Sequence, residues 1–334
     1  MSKVLILKND RVGDYFTSIN SINLILNKHK DNDIEIFLSK INYKFNFIFQ
    51  NLDNRIFNYN LSIVEKLKIL FYIIVNDISD IYILAPKKFY YYLPLIFRKI
   101  KFHAVCIESE KSRPSKFLKK YLYNKEILYR NNKSKILSVY KVLENLINHK
   151  TECKDFVSLD FEKFGFFEFP KNSTFFHYKH NLFDEKLNWS NFEIKNFIYY
   201  LSKNRDYIVF SSELNNEEKD NFFYKNFNSF DFNTKNFNKL NNDNVLYLKN
   251  IEGKNLVNAI YLCKDVIAPE SGITHIGSFL NKNTLALMHF NFKYKSDIFK
   301  QIIACKEWAP LSNFKFTILK KDYSKSINKL SKLM

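Results

Sequence analysis

Short, unbroken apolar runs recur along the chain, separated by stretches whose apolar residues fall at helical spacing. Val4–Leu7, Ile34–Leu38, Ile81–Ala85, His103–Ile107, Tyr207–Ser211, Asn244–Leu248, Asp265–Ala268 and Thr284–Met288 read as strands buried on both faces. Phe16, Ile19, Ile22 and Leu26 mark one amphipathic helix, and Leu137, Tyr140, Leu143 and Ile147 another. Continuous rather than alternating apolar strands, with helices between them, predict parallel sheets covered on both sides. The rhythm weakens between Ser158 and Ser173, where Gly165 and Pro170 interrupt an aromatic, charged segment. The expected fold is α/β, with two doubly wound Rossmann-like domains, 1–165 and 166–321, facing each other across a cleft. A tail, 322–334, can pack back on the first domain. In such sheets ligands bind beyond the carboxyl ends of the strands.

Composition narrows the class. The 334 residues suffice for two domains, and a hydrophobic fraction of 46% excludes a disordered chain. Cys106, Cys153, Cys263 and Cys305 lie far apart, with no CxxC or Cys/His cluster. Reduced, buried thiols are expected, and neither a zinc site nor a disulfide framework. The N-terminal apolar run is too short for a signal peptide. The longest greasy stretch, Leu67–Val75, contains Lys68 and has about half the ~20 residues needed to span a bilayer. A cytoplasmic chain that at most rests on a membrane is expected. The net charge of +18 points towards polyanions, yet it comes from 46 Lys and only six Arg, beside 42 Asn. That skew resembles AT-rich codon usage, and base-reading proteins favour Arg. No specific nucleic-acid partner is expected.

Two strand-to-helix loops carry the candidate chemistry, and three of the five glycines, Gly13, Gly272 and Gly277, fall in them. The first loop, Lys8-Asn9-Asp10-Arg11-Val12-Gly13-Asp14, leads into a helix beginning near Tyr15. Asp14 there is either a helix-capping carboxylate or a base aimed at an incoming hydroxyl. The second runs from Asp265 to Gly277. Pro269 and Gly272 make a turn, and Ser271 with the backbone N–H groups of Gly272, Ile273 and Thr274 forms the start of a helix. Such a start is an anion site suited to a diphosphate. His275 reads as a structural histidine or a ligand contact, and Gly277 lets the helix approach the sheet closely.

Together, Arg11-Val12-Gly13-Asp14 and Glu270-Ser271-Gly272-Ile273-Thr274-His275, the latter followed by Thr284–Met288, resemble glycosyltransferase family 9, the bacterial lipopolysaccharide heptosyltransferases. The resemblance implies a GT-B fold and an inverting, metal-independent transferase that needs no cofactor. It would move a sugar, heptose from ADP-heptose, onto a lipopolysaccharide core or a similar lipid-linked glycan. It implies Asp14 as general base, with Arg11 and Gly13 on the acceptor side. On the donor side it implies Glu270, Ser271, Gly272, Ile273, Thr274 and His275. The family's diphosphate-binding lysine is matched by Lys186, ahead of Trp189, with Lys179 as a competitor; Glu217 in the acidic segment Glu213–Glu218 is a ribose candidate. Glu270 departs from the family's aspartate, which leaves another nucleotide sugar and another surface glycan open.

Residues 87–135 carry 14 Lys/Arg and three Asp/Glu, interleaved with aromatics. Such a belt suits an anionic membrane surface or single-stranded nucleic acid. The resemblance favours the inner face of the cytoplasmic membrane and an acidic, lipid-linked acceptor, with Arg113, Lys116 and Lys120 as acceptor contacts. A non-catalytic polyanion-binding protein is the alternative from a different class.

Overall fold

The structure, a computed structural model, describes residues 2–49, 52–106, 115, 117–118, 127–129, 169–170, 172–213, 216–240, 244–289 and 314–331. The chain divides into two units, Met1–Leu159 with Ile302–Ala309, and Asp160–Gln301 with Pro310–Met334.

In the first unit, six strands run β1 (Lys3–Lys8), β2 (Asp33–Ser39), β3 (Asp53–Phe57), β4 (Ile78–Ile83), β5 (Lys101–Cys106) and β6 (Ile127–Tyr129). They form one sheet in the order β3-β2-β1-β4-β5-β6, with every pair parallel. The described helices of this unit are α1 (Val12–Lys28), α2 (Lys40–Tyr43), α3 (Ile63–Val75) and α4 (Leu93–Ile96). Val4, Leu5, Ile6 and Leu7 of β1 are fully buried, as the unbroken apolar run requires. The strand order reverses between β1 and β4, so the loops after these two strands flank the crevice where ligands of this topology bind.

The second unit holds β7 (Ser173–His177), β8 (Tyr207–Ser211), β9 (Asn228–Asp231), β10 (Asn236–Asn238), β11 (Val245–Lys249), β12 (Asp265–Pro269), β13 (Asn283–Met288) and β14 (Phe314–Ile318). Their order is β10-β9-β11-β8-β7-β12-β13-β14, and only the β9–β10 pair is antiparallel. Its described helices are α5 (Asn191–Asn204), α6 (Glu217–Asn226), α7 (Gly253–Leu262), α8 (Gly272–Phe279) and α9 (Tyr323–Leu330). An aromatic cluster that includes Phe176, Phe183, Trp189, Phe197, Phe210 and Phe223 fills this core. The topological reversal lies between β7 and β12, so the segments after those strands are the ligand-side loops here.

The tail from 322 packs on the second unit's own core: Leu330 is buried in the aromatic cluster, Tyr323 meets Trp189 edge-on, and Trp189 Nε1 donates to Lys321 O at 3.0 Å. The described residues of the Asn-rich stretch 215–244 form α6 and the β9–β10 hairpin. The helical pattern at 137–147 and Gly165 lie outside the described residues.

Gly277 sits where α8 touches the sheet. A Cβ there would lie 2.9 Å from Thr284 Oγ1 and 3.0 Å from Val266 Cγ2, distances no ordinary contact reaches. This is the close approach expected from the sequence. No helix among the described residues is long and apolar enough to cross a membrane.

Candidate functional site

On the first unit, the site is built from the ends of β1, β3 and β4. Lys8 ends β1 and is buried; its Nζ donates to Asp10 Oδ2 at 2.7 Å and to Leu84 O at 3.2 Å. Burial pushes the Asp10 carboxyl up to about 6, against the pull of Lys8 and with the help of the nearby Asp14 charge. Asn9 ties the loop to its neighbours. Its Nδ2 donates to Asn58 O at 2.9 Å, and its Oδ1 accepts from Tyr90 OH at 2.7 Å. Asn42 Nδ2 and Ser39 Oγ both donate to Asp10 O, at 3.0 and 2.8 Å. A loop held at so many points fixes the start of α1, and with it Asp14, in one geometry.

The helix starts earlier than the sequence suggests: Arg11 is the N-cap, without a side-chain cap bond, and Asp14 is the third helical residue. The capping role is therefore not realised. Thr17 and Ser18 donate to the main-chain O of Asp14, at 2.7 and 2.8 Å. Among the described residues no hydrogen bond or ion pair engages its half-buried carboxylate. Lys87 enters the same cluster from the segment after β4. Its ammonium donates to Tyr59 O and lies 4.2 Å from the Tyr59 ring centroid, and Arg11 lies 5.7 Å from that ring. Burial pulls the Lys87 ammonium down, while the Asp10 and Asp14 carboxylates pull it back. Gly13 is half-buried beside Asp14. Arg113, Lys116 and Lys120 lie outside the described residues.

On the second unit, Ser271 is the N-cap of α8, in extended conformation. Its Oγ is buried and faces the Thr274 amide in a capping box without closing a hydrogen bond. The Thr274 hydroxyl folds back instead, donating to Ser271 O at 2.7 Å and accepting from Ser271 N at 3.4 Å. The Thr274 amide also donates to Ser271 O, at 3.2 Å. This amends the expected anion site: the Thr274 N–H is committed, leaving Gly272 and Ile273, whose amides have no carbonyl a turn earlier in the helix. A buried hydroxyl without a partner is costly, about 1–3 kcal/mol, and it sits where two unmatched amides and the helix dipole favour an anion.

Glu270 is exposed at the turn. Ile273, Thr274 and His275 are buried, and burial pushes the His275 imidazole down to about 4, so it is neutral near pH 7. Lys179 follows the end of β7 by two residues, and its main-chain O accepts from the amides of Leu182 and Phe183, at 3.0 and 3.1 Å. Lys179 is half-buried; Lys186 is exposed at the end of a π-helical turn, Asn181–Lys186. The loop between them is anchored by Glu213, whose Oε2 accepts from His180 N at 2.9 Å. Of the acidic segment, Glu213 is thus the member tied to the sheet edge, while Glu217 is exposed on the first turn of α6.

Sequence reasoning missed Lys87 as part of the Asp14 cluster, along with Tyr59 and Glu213. The spacing Lys8-Asn9-Asp10, a lysine ending a buried strand two residues before an acid, signals the buried ion pair of this loop but none of those three residues. Among the described residues no three His, Cys, Asp or Glu side chains gather into a metal-binding cluster.

No family model matches the sequence, and no curated protein matches it. Solved structures do. The chain is similar to ADP-heptose lipopolysaccharide heptosyltransferase II of E. coli, with a TM-score of 0.64 and 13% identity, over 99% of this chain and 98% of that one. It is similar to E. coli heptosyltransferase WaaC with ADP, with a TM-score of 0.62 and 9% identity, over 99% and 98%. A putative UDP-N-acetylglucosamine 2-epimerase from Listeria monocytogenes matches at a TM-score of 0.52 and 11% identity, over 99% and 87%. The architecture is GT-B. At these identities the likeness fixes the fold and not the reaction.

Proposed function

We propose that the protein is an inverting glycosyltransferase that takes a nucleotide sugar as donor. The observation that carries the reading is the N-terminus of α8, where the partnerless Ser271 hydroxyl and the first two amides of the helix form a site for the donor diphosphate. Asp14 removes the proton of the acceptor hydroxyl as its oxygen attacks the anomeric carbon. The bond from that carbon to the diphosphate breaks with its electron pair going to the phosphate oxygen, and configuration inverts. The negative charge that develops on the leaving diphosphate is met by the Gly272 and Ile273 amides, Ser271 Oγ and a lysine. Lys186, exposed, and Lys179, half-buried, are the two candidates for that task. This chemistry requires neither a metal nor a cofactor.

ADP-heptose is the donor proposed first, because both heptosyltransferases share the fold over nearly their full length, and one of them is solved with ADP. The acceptor is proposed as an anionic, lipid-linked saccharide at the inner face of the cytoplasmic membrane. A second donor class stays in view because Glu270, longer by one methylene than the aspartate of the family motif, stands exposed at the donor turn. A thermal-shift screen of nucleotide sugars decides between them. ADP-heptose at 100 times its Kd is expected to add about 2.7 kcal/mol. Stabilisation by a UDP-sugar alone would move the assignment to another donor. Indifference to every nucleotide sugar would refute the transferase reading.

A further inference from the structure

Helix α3 exposes its most apolar face. Ile63, Val64, Leu67, Phe71, Ile74 and Val75 are each between 57% and 76% exposed. At 100° per residue these six positions share a sector of about 120°. The opposite face, Ile69, Tyr72 and Ile73, is buried against the sheet, so the exposed stripe is additional to the packing of the unit. The helix itself is well made: Ser62 and Glu65 form a complete capping box. A soluble surface does not ordinarily carry a stripe of this kind unpaired.

The charges beside the stripe are basic. Lys66 and Lys68 flank it on α3, and the one acid of the helix, Glu65, spends both carboxylate oxygens on the amides of Asn58 and Ser62. A groove of about 660 Å³ continues the stripe towards edge strand β3, where Tyr43, Ile56, Phe71 and Val75 line it together with Lys68 and Arg55. A second copy packed on the same face about a two-fold axis would set Lys66 and Lys68 near their own counterparts. An anionic lipid surface instead matches both features, taking the apolar side chains below the headgroups and pairing the lysines with phosphate.

We propose that the α3 face and its groove dock the protein on an anionic bilayer. This deepens the reading above and rests on it for the acceptor. The N-terminal end of α3 begins four residues after Tyr59, whose ring contacts Arg11 and Lys87, so docking here sets the Asp14 half-site beside the lipid surface. The surface differs from the sequence-based candidate, the belt at 87–135, nine of whose 14 Lys/Arg lie outside the described residues.

Sedimentation of the full chain with phosphatidylcholine vesicles, with and without phosphatidylglycerol, tests the proposal. The wild type is expected to pellet with the phosphatidylglycerol vesicles. Leu67→Ser, Phe71→Ser and Ile74→Ser combined are expected to weaken partitioning by about a hundredfold, and Lys66→Gln with Lys68→Gln by about tenfold. All five positions are outside the core, and unchanged circular dichroism establishes that the variants fold. Failure of the wild type to bind, or equal binding by the triple variant, would overturn the proposal. So would a dimer that the triple variant dissolves, which would give the face to a second copy. Thermal shift by ADP on the same preparations separates the two ideas. Vesicle binding without nucleotide stabilisation removes only the transferase reading, and the reverse removes only the docking.

Discussion

Asp14→Asn is expected to lower turnover by about a hundredfold to ten-thousandfold while leaving the fold and donor binding intact. That range is what a positioned general base contributes, and it corresponds to about 2.7–5.4 kcal/mol in the barrier. The structure separates this outcome from a structural role. The bonds that involve Asp14 in α1 go to its main-chain oxygen, from Thr17 and Ser18, and the amide replacement keeps them. The side chain caps nothing, so its stability contribution is limited to a carboxylate in the first turn of a helix, about 0.3–1 kcal/mol. A purely structural aspartate would show a small loss of stability and an unchanged rate; a base shows the opposite. Steady-state transfer rates read beside the thermal midpoint distinguish them, and wild-type turnover in the variant would remove the mechanism.

Acid is expected to destabilise the second unit steeply below pH 6.5. His177 and His275 are both buried in the second unit, and burial pushes their imidazoles down to about 3 and about 4, from 6.5. His177 Nδ1 is within 2.9 Å of Ser211 Oγ, a partner that carries no charge to offset a buried imidazolium. Because the folded state resists protonation of both rings, their contribution is complete above pH 6.5 and is lost as pH falls through the folded values. Each ring then costs about 1.4 kcal/mol per pH unit, so the pair removes about 4 kcal/mol between pH 6 and 4.5. Against a total of about 5–15 kcal/mol that is a large share. Asp10 in the first unit works the other way: its carboxyl is raised to about 6, so its protonation below that pH favours the folded state. Urea unfolding followed by Trp189 fluorescence in a Trp308→Phe background should show a midpoint falling steeply below pH 6.5, with the slope about halved in His275→Gln. A midpoint independent of pH would show that the two rings are not buried as described.

Much of this architecture is written in β1, β2, β4, β8, β11, β12 and β13, whose apolar runs are unbroken because both faces of a parallel sheet are covered. The two loops that carry Asp14 and Ser271 were legible for a related reason: each directly follows such a run and holds a glycine in a chain that has five. The elements that escaped sequence reasoning have polar residues performing structural work. Strand β7 opens with Ser173 and Thr174 and looks like the end of a linker, yet it lies at the centre of its sheet with all five residues buried. In the β9–β10 hairpin, Asn228 and Asp231 look like solvent-facing residues. Asn228 Oδ1 accepts from the Leu240 amide at 2.5 Å, tying the ends of the hairpin, and Asp231 Oδ1 from Asn233 N at 2.9 Å, closing its turn. Lys87 was unreadable as a site residue because its place depends on β4 lying next to β1 across the reversal, a relation between residues far apart in the chain.

A crystal of the protein soaked with ADP tests most directly whether the first turn of α8 holds the donor diphosphate, on which the proposed reaction depends. The β-phosphate is expected within about 2.7–3.2 Å of the Gly272 and Ile273 amides and of Ser271 Oγ, giving that hydroxyl the partner it lacks. A diphosphate bound elsewhere on the chain, with the Ser271 hydroxyl still unpaired, would contradict it.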